Sequence, residues 1–191
     1  MKKVLLIDAA ARQNSRTRAL ALYLSEKIPG EVTHLRLYDA ELPQLDGERL
    51  RWRDACCAAK DFEDEYFDTA KQFAEADILI AAAPYWDFSF PAVLKQYIET
   101  VSVNGITFVY SEKGVPVGLC AAERLYYVTT SGGPVFDDSF GYGYVSGLFR
   151  TMFGIKDAVC IKAEGLDVDG ADIDSIMDEA RNAIDALVSG E

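Results

Sequence analysis

The chain has 191 residues, half of them hydrophobic, with a net charge of −12 and a mean hydropathy close to zero. That composition can bury a full core as one domain spanning 1–191, and it is not the composition of a disordered chain. No apolar run approaches the roughly 20 residues of a membrane span. The lack of a basic face argues against nucleic acid and against anionic membrane surfaces as partners.

The elements alternate along the chain. "KVLLID" (3–8) reads as a short buried strand, and "SRTRALALYLSEKI" (15–28) places Leu20, Tyr23, Leu24 and Ile28 at helical spacing before Pro29-Gly30. "VTHLRLY" (32–38) alternates as a strand. A polar loop then leads to a helical region from about 50 to 75, with Phe62, Tyr66, Phe73 and Ala76 on one side. "DILIAAA" (77–83) is a continuous apolar run of the kind buried on both faces of a parallel sheet. Pro91 opens the next helix, "AVLKQYIETVS". "ITFVYSEKGVPVGL" (106–119) reads as a hairpin around Lys113-Gly114, and "RLYYVTT" (124–130) as the fourth main strand. A glycine-rich loop leads to a helix over "YVSGLFRTMFG", then to a fifth strand at 155–163 and an amphipathic last helix at 172–188. Five main strands alternating with helices make an α/β doubly wound parallel sheet. The order 2-1-3-4-5 is the common solution, with its ligand crevice at the carboxyl ends of strands 1 and 3.

Two acidic runs, "DFEDEYFD" (61–68) and "EGLDVDGADID" (164–174), read as a solvated helix face and a loop. Cys56, Cys57, Cys120 and Cys160 show no metal spacing and read as small packed residues. His34 is the single histidine, in a strand pattern, which argues against Ser–His and Cys–His catalysis. No metal site is expected. The N-terminal apolar run is broken by Asp8, with Arg12 where a signal cleavage site would fall, so a cytoplasmic protein is expected.

Three strand-end loops converge in that topology. The first, "DAAARQNSRT" (8–17), lacks G-x-G-x-x-G and a phosphate-loop lysine. It sets Asn14, Ser15 and Thr17 at a helix start beside Arg12, Arg16 and Arg18. Hydroxyls and unpaired helix N–H groups suit a phosphate monoester, although Asn14 or Ser15 also makes an ordinary N-cap. The second, "PYWDF" (84–88), offers aromatic faces, backbone amides and one carboxylate to a planar ring; core or subunit-interface packing would need the same residues. The third, "TSGG" (130–133), offers two glycines for close backbone approach, or simply a tight turn. A terminal phosphate at one end and a flat heteroaromatic ring at the other describe flavin mononucleotide (FMN).

The chain also resembles the FMN-dependent NADH:quinone oxidoreductases and azoreductases of flavodoxin-like fold, over nearly its whole length. The resemblance is carried by "R-x-x-S-x-T" (Arg12, Ser15, Thr17), "AAP-[aromatic]-x-F…P-x-x-L-K-x-Y" (81–97) and "G-I-T-F-x-Y-x-E-x-G-x-x-x-G-L" (105–119). It continues through "T-T-S-G-G" (129–133), "FGI" (153–155) and "AEG" (163–165). It implies that Ser15, Arg16 and Thr17, assisted by Arg12, hold the phosphate. Pro84, Tyr85, Trp86, Asp87 and Phe88 would line the ring, and Thr130, Ser131, Gly132 and Gly133 would contact its pyrimidine end. It further implies NADH or NADPH as reductant, with NADH preferred, a small quinone or azo acceptor, and a homodimer. Partner aromatics complete each site in that family, and Phe108 and Tyr142 are the candidates here. The flavin, not a side chain, would carry the chemistry.

Three positions depart from the family pattern: Ala10 where serine is common, Asp87 where asparagine is common, and Ser131 where arginine is common. They bear on potential and substrate preference. An acidic flavodoxin-like electron carrier, or a binding module that has lost flavin, would share the fold.

Overall fold

A computed structural model describes residues 1–190. Strands β1 (Lys3–Asp8), β2 (Glu31–Arg36), β3 (Ile78–Ala82), β6 (Arg124–Thr130) and β7 (Asp157–Ala163) form one parallel sheet in the order β2-β1-β3-β6-β7. With the hairpin strands β4 (Phe108–Tyr110) and β5 (Pro116–Gly118) set aside, this is the expected 2-1-3-4-5 order, and the hairpin is present as read. Every residue of β3 is buried, as a continuous apolar run requires, whereas the edge strand β2 is exposed over its first four residues.

Helices cover both faces. On one side α1 (Arg16–Lys27) and α6 (Ile173–Ser189) bury Leu20, Leu24 and Ile184 against β1, β3 and β6. On the other, α3 (Asp68–Glu75), α4 (Ala92–Val101) and α5 (Tyr142–Leu148) bury Phe73, Tyr97 and Phe149. The caps explain the starts. Ser15 accepts the Arg18 N–H at 3.2 Å to open α1, and Asp172 accepts the Ser175 N–H at 3.1 Å to open α6.

The helical region expected at 50–75 is instead two helices. The first, α2 (Gly47–Ala59), ends at Lys60 in the left-handed region (φ 55°), and α3 begins only at Asp68. The acidic residues between them supply the reason. Asp64 accepts the Tyr66 N–H at 2.9 Å, a local bond that competes with helix continuation. Phe62, Tyr66 and Phe67 then close into an aromatic cluster with Trp52, at ring separations of 5.2–5.5 Å. This acidic run therefore builds caps and turns, not a helix face.

α5 starts two residues earlier than expected and widens into a π-helical turn over Phe149–Phe153. Phe149 and Phe153 both pack edge-on to Phe73, at 5.4 and 5.0 Å. The hairpin presses on the same turn: a Cβ on Gly118 would lie 2.0 Å from the carbonyl carbon of Phe153. Glycine at 118 is what lets the two backbones meet.

Candidate functional site

The loop after β1 is shaped by a buried charge. The side chain of Asp8 has no exposed surface, and its carboxylate takes the Ala10 N–H at 2.9 Å, Arg18 Nε at 2.5 Å and His34 Nε2 at 3.0 Å. Arg18 spends its remaining donors on the carbonyls of Arg12 (2.8 Å), Gln13 (3.0 Å) and Ala10. Arg18 is thus a scaffold on which the loop carbonyls turn inward. Ala11, Arg12, Asn14, Ser15, Arg16 and Thr17 remain on the cleft side. The first N–H groups of α1 have no intrahelical acceptor and sit at the positive end of the helix dipole. His34 packs half-buried beside Asp8, clear of the cleft lining.

The loop after β3 keeps pairing with β6 as it leaves the sheet: Ala83 and Tyr85 donate to the carbonyls of Val128 and Thr130 at 2.9 and 3.0 Å. It then reverses in two residues. Trp86 and Ser89 exchange backbone hydrogen bonds of 3.0 and 2.7 Å, and Asp87 and Phe88 both take positive φ, 50° and 64°. That is a type I′ turn built without glycine, and phenylalanine is rarely seen with such a φ. The turn leans on the loop after β6: Ser89 Oγ donates to Phe140 O at 2.7 Å and Tyr85 Oη to Asp137 O at 3.4 Å. Trp86 and Phe88 are 38% and 57% exposed, which removes the core-packing reading for these two rings.

The loop after β6 joins the others. Thr130 Oγ1 and Thr17 Oγ1 share a hydrogen bond of 2.7 Å, tying the third loop to the first. Ser131 is buried, and its hydroxyl donates to Gly133 O at 2.6 Å, so it holds the turn itself. A fourth loop, after β7, lies alongside: Leu166 and Asp167 donate to the carbonyls of Ser131 and Gly132 at 3.1 and 2.8 Å. Asp167 also reaches Arg16 Nη1 at 3.3 Å. The second acidic run is therefore only partly a solvated loop.

Together the four loops enclose a cleft of about 370 Å³, within the roughly 300–1,000 Å³ of small-molecule sites. Of the residues singled out in the sequence, Arg12, Ser15, Arg16, Thr17, Pro84, Tyr85, Trp86, Thr130, Ser131 and Gly132 line it. Asp87, Phe88 and Gly133 flank these residues outside the lining, and Asp87 is exposed at the turn tip, so its carboxylate is not part of the cleft wall. Leu166 and Asp167 are additions; the signal for them is topological, since the loop after a fifth parallel strand ends on the same sheet edge. A larger groove of about 500 Å³ runs between Arg49, Trp52, Asp64 and Tyr66. It touches none of the four strand-end loops, so convergence favours the smaller cleft.

Phe108 and Tyr142, the candidates for a wall supplied by a partner subunit, do not line the cleft of their own chain. Phe108 is 5% exposed and packs into the core beneath the hairpin, edge-on to Tyr110 at 5.3 Å. Tyr142 stacks at a tilt on Tyr127 and donates its hydroxyl to Ala158 O at 2.8 Å, beside the start of β7. Exposed aromatic surface instead comes from Tyr110, Phe136 and Phe140. The buried thiols of Cys120 and Cys160 are pushed up to about 12 by loss of solvent, so they stay protonated at neutral pH. Burial likewise raises the phenol of Tyr127.

The arrangement offers helix N–H groups, hydroxyls and two arginines at one end, and the rings of Tyr85 and Trp86 at the other. Such a cleft can take a ligand with a terminal anion and a flat ring.

The comparisons agree with that geometry. A family model described as having the flavodoxin-like fold matches residues 2–188. An FMN-dependent NADH:quinone oxidoreductase of Clostridium beijerinckii is 35% identical over 191 residues, covering 94% of each chain. One from Clostridium acetobutylicum is 35% identical over 196 residues, covering 97% of this chain and 96% of its own. The crystal structure of an azoreductase from Bacillus anthracis superposes with a TM-score of 0.83 over the full length of both chains, at 24% identity, and so shares the fold. The chain belongs to the flavodoxin-like family that contains the FMN-dependent NADH:quinone oxidoreductases.

Proposed function

We propose that the chain is an FMN-dependent NADH oxidoreductase that reduces quinones, azo compounds or both by two-electron transfer. The observation that carries this reading is the polarity of the strand-end cleft: Arg12, Ser15, Arg16 and Thr17 at a helix N-terminus, and Tyr85 and Trp86 at the far wall. The residues fit FMN. The phosphate end has cationic and N–H donors for a dianion, and the ring end has aromatic faces without a lining carboxylate.

Arg12 and Arg16 would neutralise the phosphate while the first N–H groups of α1 donate to it along the helix dipole. Thr17 and Thr130 act as one hydroxyl pair fixing the distance between the phosphate and pyrimidine ends. Gly132 lines the pyrimidine end and Gly133 follows just outside it, so this turn would meet the pyrimidine edge through its backbone beside Asp167. Pro84, Tyr85 and Trp86, with the turn at Asp87 and Phe88, form the wall that orients the ring and excludes water beside it. When bound, FMN would supply the two-electron redox chemistry between NADH and the acceptor, taken in turn at this one site. The chain needs no acid–base side chain for this, because solvent can provide the proton that completes a hydroquinone.

The same reading takes 1–191 as one FMN-binding domain of a cytoplasmic homodimer whose second subunit closes the acceptor side. Among the described residues no helix is long and apolar enough to cross a membrane. The test is to purify the protein with FMN, record its visible spectrum and follow NADH absorbance with menadione or methyl red. Turnover well above that of free FMN is expected. Turnover equal to free FMN removes the enzyme, and flavin binding without NADH oxidation points to the electron carrier.

A further inference from the structure

The cleft carries one carboxylate that the proposed function does not use. Asp167 lies at the phosphate end, where an anion is least expected. Its backbone is fixed: the Asp167 N–H donates to Gly132 O at 2.8 Å and the preceding Leu166 N–H to Ser131 O at 3.1 Å. Its side chain lies flat on Gly132, so close that a Cβ there would come 2.4 Å from Oδ2. From this pinned position Oδ1 reaches Arg16 Nη1 at 3.3 Å, across the cleft from the fourth loop to the first. Arg16 is the first residue of α1, among the N–H groups best placed to receive a phosphate.

Most exposed ion pairs hold two mobile side chains and gain little. Here one partner stands on a backbone fixed by two hydrogen bonds, although its side chain is 73% exposed, and the other is a cation that a phosphate monoester also needs. A carboxylate and a phosphate dianion on one guanidinium are rivals: the anions repel, and the planar donor fork cannot serve both fully.

We propose that Asp167 sets the strength and selectivity of cofactor binding by competing with the cofactor's terminal phosphate for Arg16. The inference rests on the FMN reading. Asp167 weakens flavin that carries a phosphate and leaves the unphosphorylated ring untouched, so the cofactor exchanges more readily than the donor set alone would allow. A purely structural Asp167, which only ties the third loop to the fourth, would affect both forms of flavin alike.

The experiment is a fluorescence titration of the full chain with FMN and with riboflavin, at low and high salt, for the wild type, Asp167→Asn, Arg16→Gln and the double variant. The carboxamide keeps the shape and the backbone bonds of residue 167 while removing its charge. Asp167→Asn is expected to tighten FMN about two- to fivefold at low ionic strength, the scale of an exposed ion pair. Riboflavin affinity should not change, and salt should shrink the FMN effect. Arg16→Gln should weaken FMN alone, and in that background the effect of Asp167→Asn should vanish. The proposal is overturned if FMN is no tighter, if both flavins shift alike, or if the effect survives without Arg16. A wild type that binds neither flavin overturns the functional reading itself; FMN binding without this selectivity overturns only the role of Asp167.

Discussion

The two ends of the cleft are built on opposite physical plans. At the phosphate end, the loop after β1 is wound around a buried ion pair, with Arg18 holding the Asp8 carboxylate and three backbone carbonyls. At the ring end, the turn at Asp87–Phe88 stands in solvent, has two left-handed residues without glycine, and is steadied by hydrogen bonds to a neighbouring loop. One end is over-determined and the other holds strain. An anion socket can thus be fixed by a buried network, whereas an exposed aromatic wall is held by a strained turn and a neighbouring loop.

Cutting the scaffold gives the largest expected effect. Arg18→Met strips the buried Asp8 carboxylate of its nearest cation and leaves it the Ala10 N–H, His34 and Arg36 at 3.9 Å, a loss toward the low end of about 3–5 kcal/mol. Urea unfolding should show that loss in the midpoint, and Asp8→Asn in the same chain should recover part of it. Arg18→Lys should recover little, because a point ammonium cannot serve a carboxylate and three carbonyls at once. A loss below about 1 kcal/mol for Arg18→Met would mean the loop does not depend on this pair.

Next comes the link between the two ends. Thr17→Val removes the 2.7 Å bridge to Thr130 and leaves one hydroxyl without its partner, costing about 1–2 kcal/mol of stability. The comparison becomes sharper if FMN binding weakens while Arg18 contacts, read by hydrogen exchange of the 9–15 loop, stay protected. Uniform loss of protection would mean the two ends are not separable.

Phe88→Gly should act with the opposite sign. It creates Asp-Gly, the preferred type I′ pair, and relieves the left-handed phenylalanine, so thermal unfolding should report a gain of about 1 kcal/mol. The exposed ring that flanks Tyr85 and Trp86 is lost at the same time, and NADH-dependent turnover should fall. A variant both less stable and fully active would remove the idea that strain here serves the ring.

The sheet and most helices are legible in the sequence because burial on both faces leaves apolar runs, such as 77–83, and burial on one face leaves helical spacing, such as Leu20–Leu24–Ile28. The first three site loops follow from the sheet order alone. Three features do not. The break at Lys60 depends on aspartates bonding their own backbone, which hydrophobic periodicity does not register. Phe108 and Tyr110 lie two residues apart on one face of β4 and touch, yet the first is buried under the hairpin and the second is exposed toward its tip, a difference along the strand that alternation does not register. Asp167 is one acid among many until backbone pairing sets its loop against Gly132.

The smallest expected effect concerns how the ring-end loop is tied down. Burial alone would raise the Glu164 carboxyl, but the Lys162 ammonium at 2.7 Å and the Val135 N–H at 3.1 Å outweigh it and hold it below its ordinary value. The group therefore contributes stability that is complete above the unfolded glutamate value of about 4.3 and is lost as pH falls through the lower folded value. Glu164→Gln should flatten that part of the acid limb while changing stability at pH 7 only slightly. Because Val135 follows Gly133 by two residues, the same variant should loosen 133–140 first, seen as faster amide exchange there than in 9–15. Equal loosening of both loops would show that the anchored end and the strained end share one support after all.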